Sequence, residues 1–124
     1  MDDRLAERIR LFRAGGRVRP EVADFVTAEL RALADEGRAV TETTAGVLTS
    51  HLMLALTRLL DGEPITDDPA DALLTAELGG RPDALERARA VARRAERALG
   101  AALPESEVRF LGMHLAVLTA QPAP

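Results

Sequence analysis

SEVRFLGMHLAVLTA, residues Ser106–Ala120, is almost entirely apolar after its first four residues, yet it carries His114. TSHLMLALTRLL, residues Thr49–Leu60, is similarly apolar and carries His51, the only other histidine in the chain. The Ser106–Ala120 stretch keeps its apolar positions at helical spacing, whereas the helix that carries His51 is apolar almost all round except near Gly46, Ser50 and Thr57, as a helix central to its bundle or shared with another subunit is. At about 100° per residue, His51 falls between Val47, Leu48, Leu54 and Ala55, and Arg58 returns to nearly the same azimuth roughly 10 Å further along the axis. In the second stretch Val108, Leu111, Leu115 and Leu118 form one stripe, Phe110 and Val117 widen it, and His114 falls inside the widened arc. Glu107 precedes His114 by two turns on a similar heading, so the spacing pairs His51 with Arg58 and His114 with Glu107.

Outward from these two segments, helix formers dominate and nothing alternates at period two for long enough to make a strand. A short helix is expected over about Asp2–Ala14, stopped by Gly15-Gly16. A second runs from Pro20, a residue suited to a first helical turn, to Asp35 or Glu36 ahead of Gly37. The His51 helix covers about Thr41–Leu60 and ends at Asp61-Gly62; after the turn EPITDDP a shorter helix is expected over about Pro69–Leu78. Another spans about Pro82–Leu99, ending at Gly100, with a narrow apolar seam of Leu85, Ala88, Ala92, Ala95 and Leu99. The last begins near Pro104, with Glu105 and Glu107 in the turn where the helix dipole favours anions. Short connections between such helices imply an all-α, compact antiparallel five-helix bundle from Pro20 onward, with an extra short N-terminal helix. The corresponding division is an N-terminal helical extension over 1–19, a helical domain over 20–119 and a tail over 120–124.

Composition narrows the function. The chain has 124 residues, enough to bury a core as one domain, and no cysteine, which excludes disulfides, thiolate metal sites and a cysteine nucleophile. The net charge of −4 and the restriction of aromatics to Phe12, Phe25 and Phe110 argue against direct nucleic-acid binding, because neither a basic surface nor a stacking platform is present. All sixteen basic residues are arginine. Arg87, Arg89, Arg93, Arg94 and Arg97 alternate with Glu86 and Glu96, which reads as a solvated helix face. No segment has the apolar core of a secretory signal or the length of a membrane span, so a cytoplasmic protein with no membrane contact is expected.

A histidine on an apolar face ordinarily fills a core or an interface with its hydrogen bonds satisfied. A metal site would have to draw His51, His114 and Glu107 together without a local spacing signature. Reversible phosphorylation is the third chemistry open to an imidazole, and it would bring close to two negative charges into an apolar contact surface.

The motifs, taken together, resemble a known family. HLMLALTRLLDG (His51–Gly62) followed by LPESEVRFLGMHL (Leu103–Leu115) is similar to the PTS regulation domain, or PRD, of bacterial sugar antiterminators and activators. His51-Leu52, Arg58 and Gly62 match the first motif; Pro104, Glu107, His114 and Leu115 match the second. The match covers about Pro20–Thr119. The resemblance implies a five-helix bundle that forms a homodimer, with His51 and His114 as phosphorylation sites supplied by the phosphocarrier HPr or an enzyme II component. Arg58 and Glu107 are then supporting residues, no cofactor or metal is needed, and the protein is not an enzyme. Family regulators carry their PRDs, usually in tandem, beside an RNA- or DNA-binding effector. Here a single PRD-like unit is expected to act through a separate effector protein. Two alternatives are a dimerisation module that is never phosphorylated and a small metal-dependent enzyme using His51, His114 and Glu107.

Overall fold

One carboxylate starts two helices. Asp2 Oδ1 accepts from the Arg4 amide at 3.4 Å, and its Oδ2 accepts from the Glu42 amide at 2.8 Å. The first bond caps α1 (Asp3–Ala14) and the second joins the N-terminus of α3 (Glu42–Leu60), so these helices begin side by side and run in the same direction. The Glu42 amide is also the main reason that the Asp2 carboxyl is held below its ordinary value. Thr41 completes the start of α3: its Oγ1 accepts from the Thr44 amide and Thr44 Oγ1 accepts from the Thr41 amide, a reciprocal box built from two threonines.

The computed structural model describes residues 2–63 and 81–120. Within them α2 (Pro20–Asp35) opens on proline, and α4 (Pro82–Leu99) does the same. Gly100 ends α4 at φ +73°, a left-handed conformation that only glycine takes without strain, and so lets the chain turn back into α5 (Glu105–Ala120). The expected helix over Pro69–Leu78 lies outside the described residues.

Ion pairs mark the directions. Arg19, at the start of α2, donates to Asp61 at the end of α3 at 2.9 Å, so these two run antiparallel. Glu29 of α2 and Glu36, which caps its end, meet Arg94 and Arg87 of α4 in reversed order, which makes that pair antiparallel as well. Arg89 reaches Glu105 at 2.7 Å and Arg81 reaches the Ala116 carbonyl at 3.3 Å, so α5 reverses α4. The last turn of α5 contains no basic residue of its own. Arg81 and Arg38, which donates to the Thr119 carbonyl at 3.0 Å, supply from outside the positive charge that a helix C-terminus favours.

The architecture is the all-α antiparallel bundle expected, with the N-terminal helix built into its core. Leu5 and Ile9 of α1 are buried with Val22, Val26 and Leu30 of α2 and Leu52, Met53 and Leu56 of α3. A second cluster joins Leu48 of α3 to Ala88 and Val91 of α4 and to Val108, Leu111, Leu115 and Leu118 of α5, while Phe25 and Leu33 pack against both. Each such aliphatic side chain contributes about 1.5–3 kcal/mol on burial, so truncating Leu56, fully enclosed, to alanine costs about 2–5 kcal/mol. The buried seam of α4 is Ala84, Ala88, Val91 and Ala95. It keeps Ala88 and Ala95 of the expected line and is turned by roughly 50° toward Ala84 and Val91, with Leu85 and Ala92 partly buried at its flank, because α4 packs against both α5 and α2. Among the described residues no helix is long and apolar enough to cross a membrane.

Candidate functional site

His51 stands midway along α3, and Glu107 stands in the first turn of α5, where the helix dipole stabilises its carboxylate. The two meet across the helix boundary, with His51 Nε2 2.6 Å from Glu107 Oε2. A carboxylate has only acceptors, so the imidazole nitrogen donates. In a neutral ring this places the proton on Nε2 and leaves the lone pair on Nδ1. The carboxylate is well enclosed, its side chain 14% exposed, whereas the His51 side chain is 38% exposed. An anchored acid thus holds one edge of a ring that solvent still reaches.

Glu107, Phe110 and His114 are spaced three and four residues apart, which sets them in a row on one face of α5. Phe110 stacks on His51, with ring centroids 4.0 Å apart and planes inclined by 27°. It also leans on His114 at 4.6 Å and 46°. Burial pushes the His114 imidazole below its ordinary value, and the nearby His51 adds to that shift, so His114 favours the neutral form.

This arrangement revises the pairing expected from helix azimuths. Glu107 serves His51 across the helix boundary and not His114 along its own helix, because residues seven apart on one helix are separated by roughly 10 Å of rise. Arg58 lies two turns beyond His51, largely exposed, with Nε 3.4 Å from a Glu63 carboxylate oxygen. Phe110 is the member of the cluster that sequence reasoning passed over as a side extension of the stripe. Its signal was its rarity, one of three aromatics in the chain, and its position between Glu107 and His114.

The surroundings are apolar. The large hydrophobic side chains that stand exposed among the described residues are Leu11, Val47, Leu54 and Val117. Three of them frame the cluster: Val47 and Leu54 lie four before and three after His51 on α3, and Val117 lies three after His114 on α5.

Comparison of the chain with protein-family models, with curated proteins and with solved structures gives no match. The site must therefore be read from its own chemistry. Among the described residues no three His, Cys, Asp or Glu side chains gather as a metal-binding set, so the trio of His51, His114 and Glu107 does not form one here. A hydrogen-bonded His–Glu dyad, stacked on an aromatic ring and rimmed by exposed aliphatic residues, can do two things. It can present a lone-pair nitrogen to an incoming electrophile, and it can change charge within an apolar surface.

Proposed function

We propose that this chain is a small regulatory module, similar to a stand-alone PTS regulation domain, whose His51 accepts a phosphoryl group from a phosphohistidine donor such as HPr or an enzyme II component. The observation that carries the reading is the 2.6 Å contact from His51 Nε2 to Glu107 on a ring that remains partly exposed. In the transfer the Nδ1 lone pair forms a bond to phosphorus while the donor's N–P bond breaks and its nitrogen keeps the electron pair. The proton on Nε2 stays with the ring, and the Glu107 carboxylate offsets the positive charge that develops there, as the aspartate does for the histidine of a hydrolytic triad. His114, half-buried and biased to the neutral form, is the second acceptor in this reading.

The phosphoryl group would bring close to two negative charges to a face rimmed by Val47, Leu54 and Val117. That face is the one we assign to homodimer formation. Like charges meeting across a two-fold axis weaken such a contact, and a separate effector protein would read the change. Incubation with enzyme I, HPr and labelled phosphoenolpyruvate should label the wild type, leave His51→Ala with label at His114 alone, and leave the double variant His51→Ala/His114→Ala unlabelled. Wild-type protein that is folded and stays unlabelled with both HPr and enzyme II donors overturns the reading.

A second reading rests on the depressed His114 imidazole: the face is a pH-sensitive contact that is never phosphorylated. It predicts the same self-association in the absence of any donor, changing as pH falls below about 6.5, with no label incorporated.

A further inference from the structure

On the side of the bundle where α2 faces α4, the two core clusters do not close completely. A cavity of about 190 Å³ lies between α2, α3, α4 and α5. Its walls are aliphatic, with Val26, Leu30, Leu48, Val91, Leu111 and Leu115 among them. Leu30 and Leu48 belong to different clusters, so the space sits at their junction. For scale, an engineered cavity of about 150 Å³ with similar walls stays dry and takes up benzene.

Two features give this space a chemical preference. At its edge Arg94 holds Glu29 through contacts of 2.8 and 2.6 Å, and Arg87 holds Glu36 through contacts of 3.1 and 2.7 Å. Each guanidinium already has a carboxylate across two hydrogen bonds, so the rim offers no uncompensated charge to attract an ionic ligand. Within the lining, Thr49 is fully buried and its hydroxyl has no hydrogen-bond partner among the described residues. An unpaired buried hydroxyl is destabilising, a cost that valine of the same shape would avoid. A helical threonine has two χ1 wells available, so the hydroxyl can be turned toward a guest without moving the backbone.

We infer that this cavity is a binding site for a neutral, ring-sized apolar molecule with a single hydrogen-bonding group, which Thr49 receives. The inference is independent of any phosphorylation at His51, although Leu52, Leu111 and Leu115 line or border the space while their sequence neighbours His51, Phe110 and His114 form the cluster.

Phenol and toluene are the probes. Titrated into the full-length protein and followed by methyl NMR, phenol should give saturable shifts and intermolecular contacts at Leu48, Val91 and Leu111. Thr49→Val should weaken phenol about three- to tenfold, the value of one hydrogen bond, and should not weaken toluene. Ala90→Leu, which adds bulk to a lining position while keeping a good helix former, should weaken both at least about tenfold. The inference is overturned by wild-type protein that shows no saturable shift, by contacts that map elsewhere, or by phenol affinity that is unchanged in Thr49→Val. The wild-type contacts decide the location even if a variant fails to fold.

Discussion

His51 and Glu107, separated by 56 positions in the chain, are brought to 2.6 Å by the packing of α3 against α5. The contact ties the middle of one helix to the first turn of another. It therefore reports both the fold and the chemistry of the site.

Removing that carboxylate should separate orientation from charge. In Glu107→Gln the amide oxygen still accepts from Nε2, so nitrogen NMR should show the neutral His51 ring largely as the Nε2–H tautomer, as in wild type. In Glu107→Ala that preference should disappear. Phosphoryl acceptance should fall about tenfold or more in both variants if the charge matters, and only in the alanine variant if tautomer alone matters. Loss of the bond should also lower unfolding free energy by about 1–2 kcal/mol in Glu107→Ala, measured by urea titration.

His114 makes stability depend on pH with a definite sign. Its folded-state value is depressed below the ordinary 6.5, so on acidification the unfolded chain takes up the proton before the folded protein does. Stability from this group is fully present above about pH 6.5 and declines as pH falls from there toward the folded-state value. Urea unfolding between pH 7.5 and 5 should show that decline in wild type and a flatter profile in His114→Gln. An equal slope in the two proteins removes His114 as its source.

Helices were legible in this chain because their limits are chemical. Pro20 and Pro82 open helices, Gly100 ends one, and the α3 cap lies at Thr41. The buried stripe of α5, with Val108, Leu111, Leu115 and Leu118, follows directly from its spacing. What was not legible is what crosses between helices. Azimuth places Glu107 and His114 on similar headings, yet it holds no information on which foreign side chain will occupy the space above Glu107. The Arg/Glu face of α4 shows the same limit. Arg93 does pair along its own helix with Glu86, as a solvated face should, but Arg87, Arg89 and Arg94 reach Glu36, Glu105 and Glu29 on other helices. The Arg87 and Arg89 pairs are open to solvent on both sides and are worth only about 0.5 kcal/mol each, while Arg94 meets a more enclosed Glu29; their effect is to set how α2, α4 and α5 lie against one another.

The docking of α1 depends on Arg8. Its Nε lies 2.9 and 3.0 Å from the two Glu42 carboxylate oxygens, its Nη1 donates to Ser50 at 2.8 Å, and its Nη2 also pairs with Glu42. Gly46 leaves room for this contact: a Cβ there would stand 3.1 Å from a Glu42 oxygen and 3.3 Å from the Arg8 guanidinium. Arg8→Ala should raise amide exchange across α1 well before it affects α4 and α5, because the buried Leu5 and Ile9, the Asp2 bond to the Glu42 amide and the exposed Arg13–Asp24 pair would then hold the helix without its central ion pair. Gly46→Ala should stabilise by less than the roughly 1 kcal/mol that alanine usually gains over glycine in a helix. A full gain would show that the ion pair yields at no cost.

Self-association through the α3–α5 face is tested by placing charge on it. Val47 is 68% exposed and Val117 53% exposed, so glutamate at either position should alter monomer stability only within about 0.5 kcal/mol. In a dimer formed through this face the same carboxylate would lose its water without gaining a partner. Light scattering should therefore find wild type at twice the 13.3 kDa chain mass and Val47→Glu and Val117→Glu near the single mass. Leu11→Glu is the control, because Leu11 is 57% exposed but stands on α1, which carries no member of the His51–Phe110–His114 row, and should leave the dimer intact. A wild type that remains monomeric at tens of micromolar removes the dimer while leaving acceptance of phosphate at His51 open to its own assay. A dimer that persists in both valine variants and is lost in Leu11→Glu moves the interface to α1.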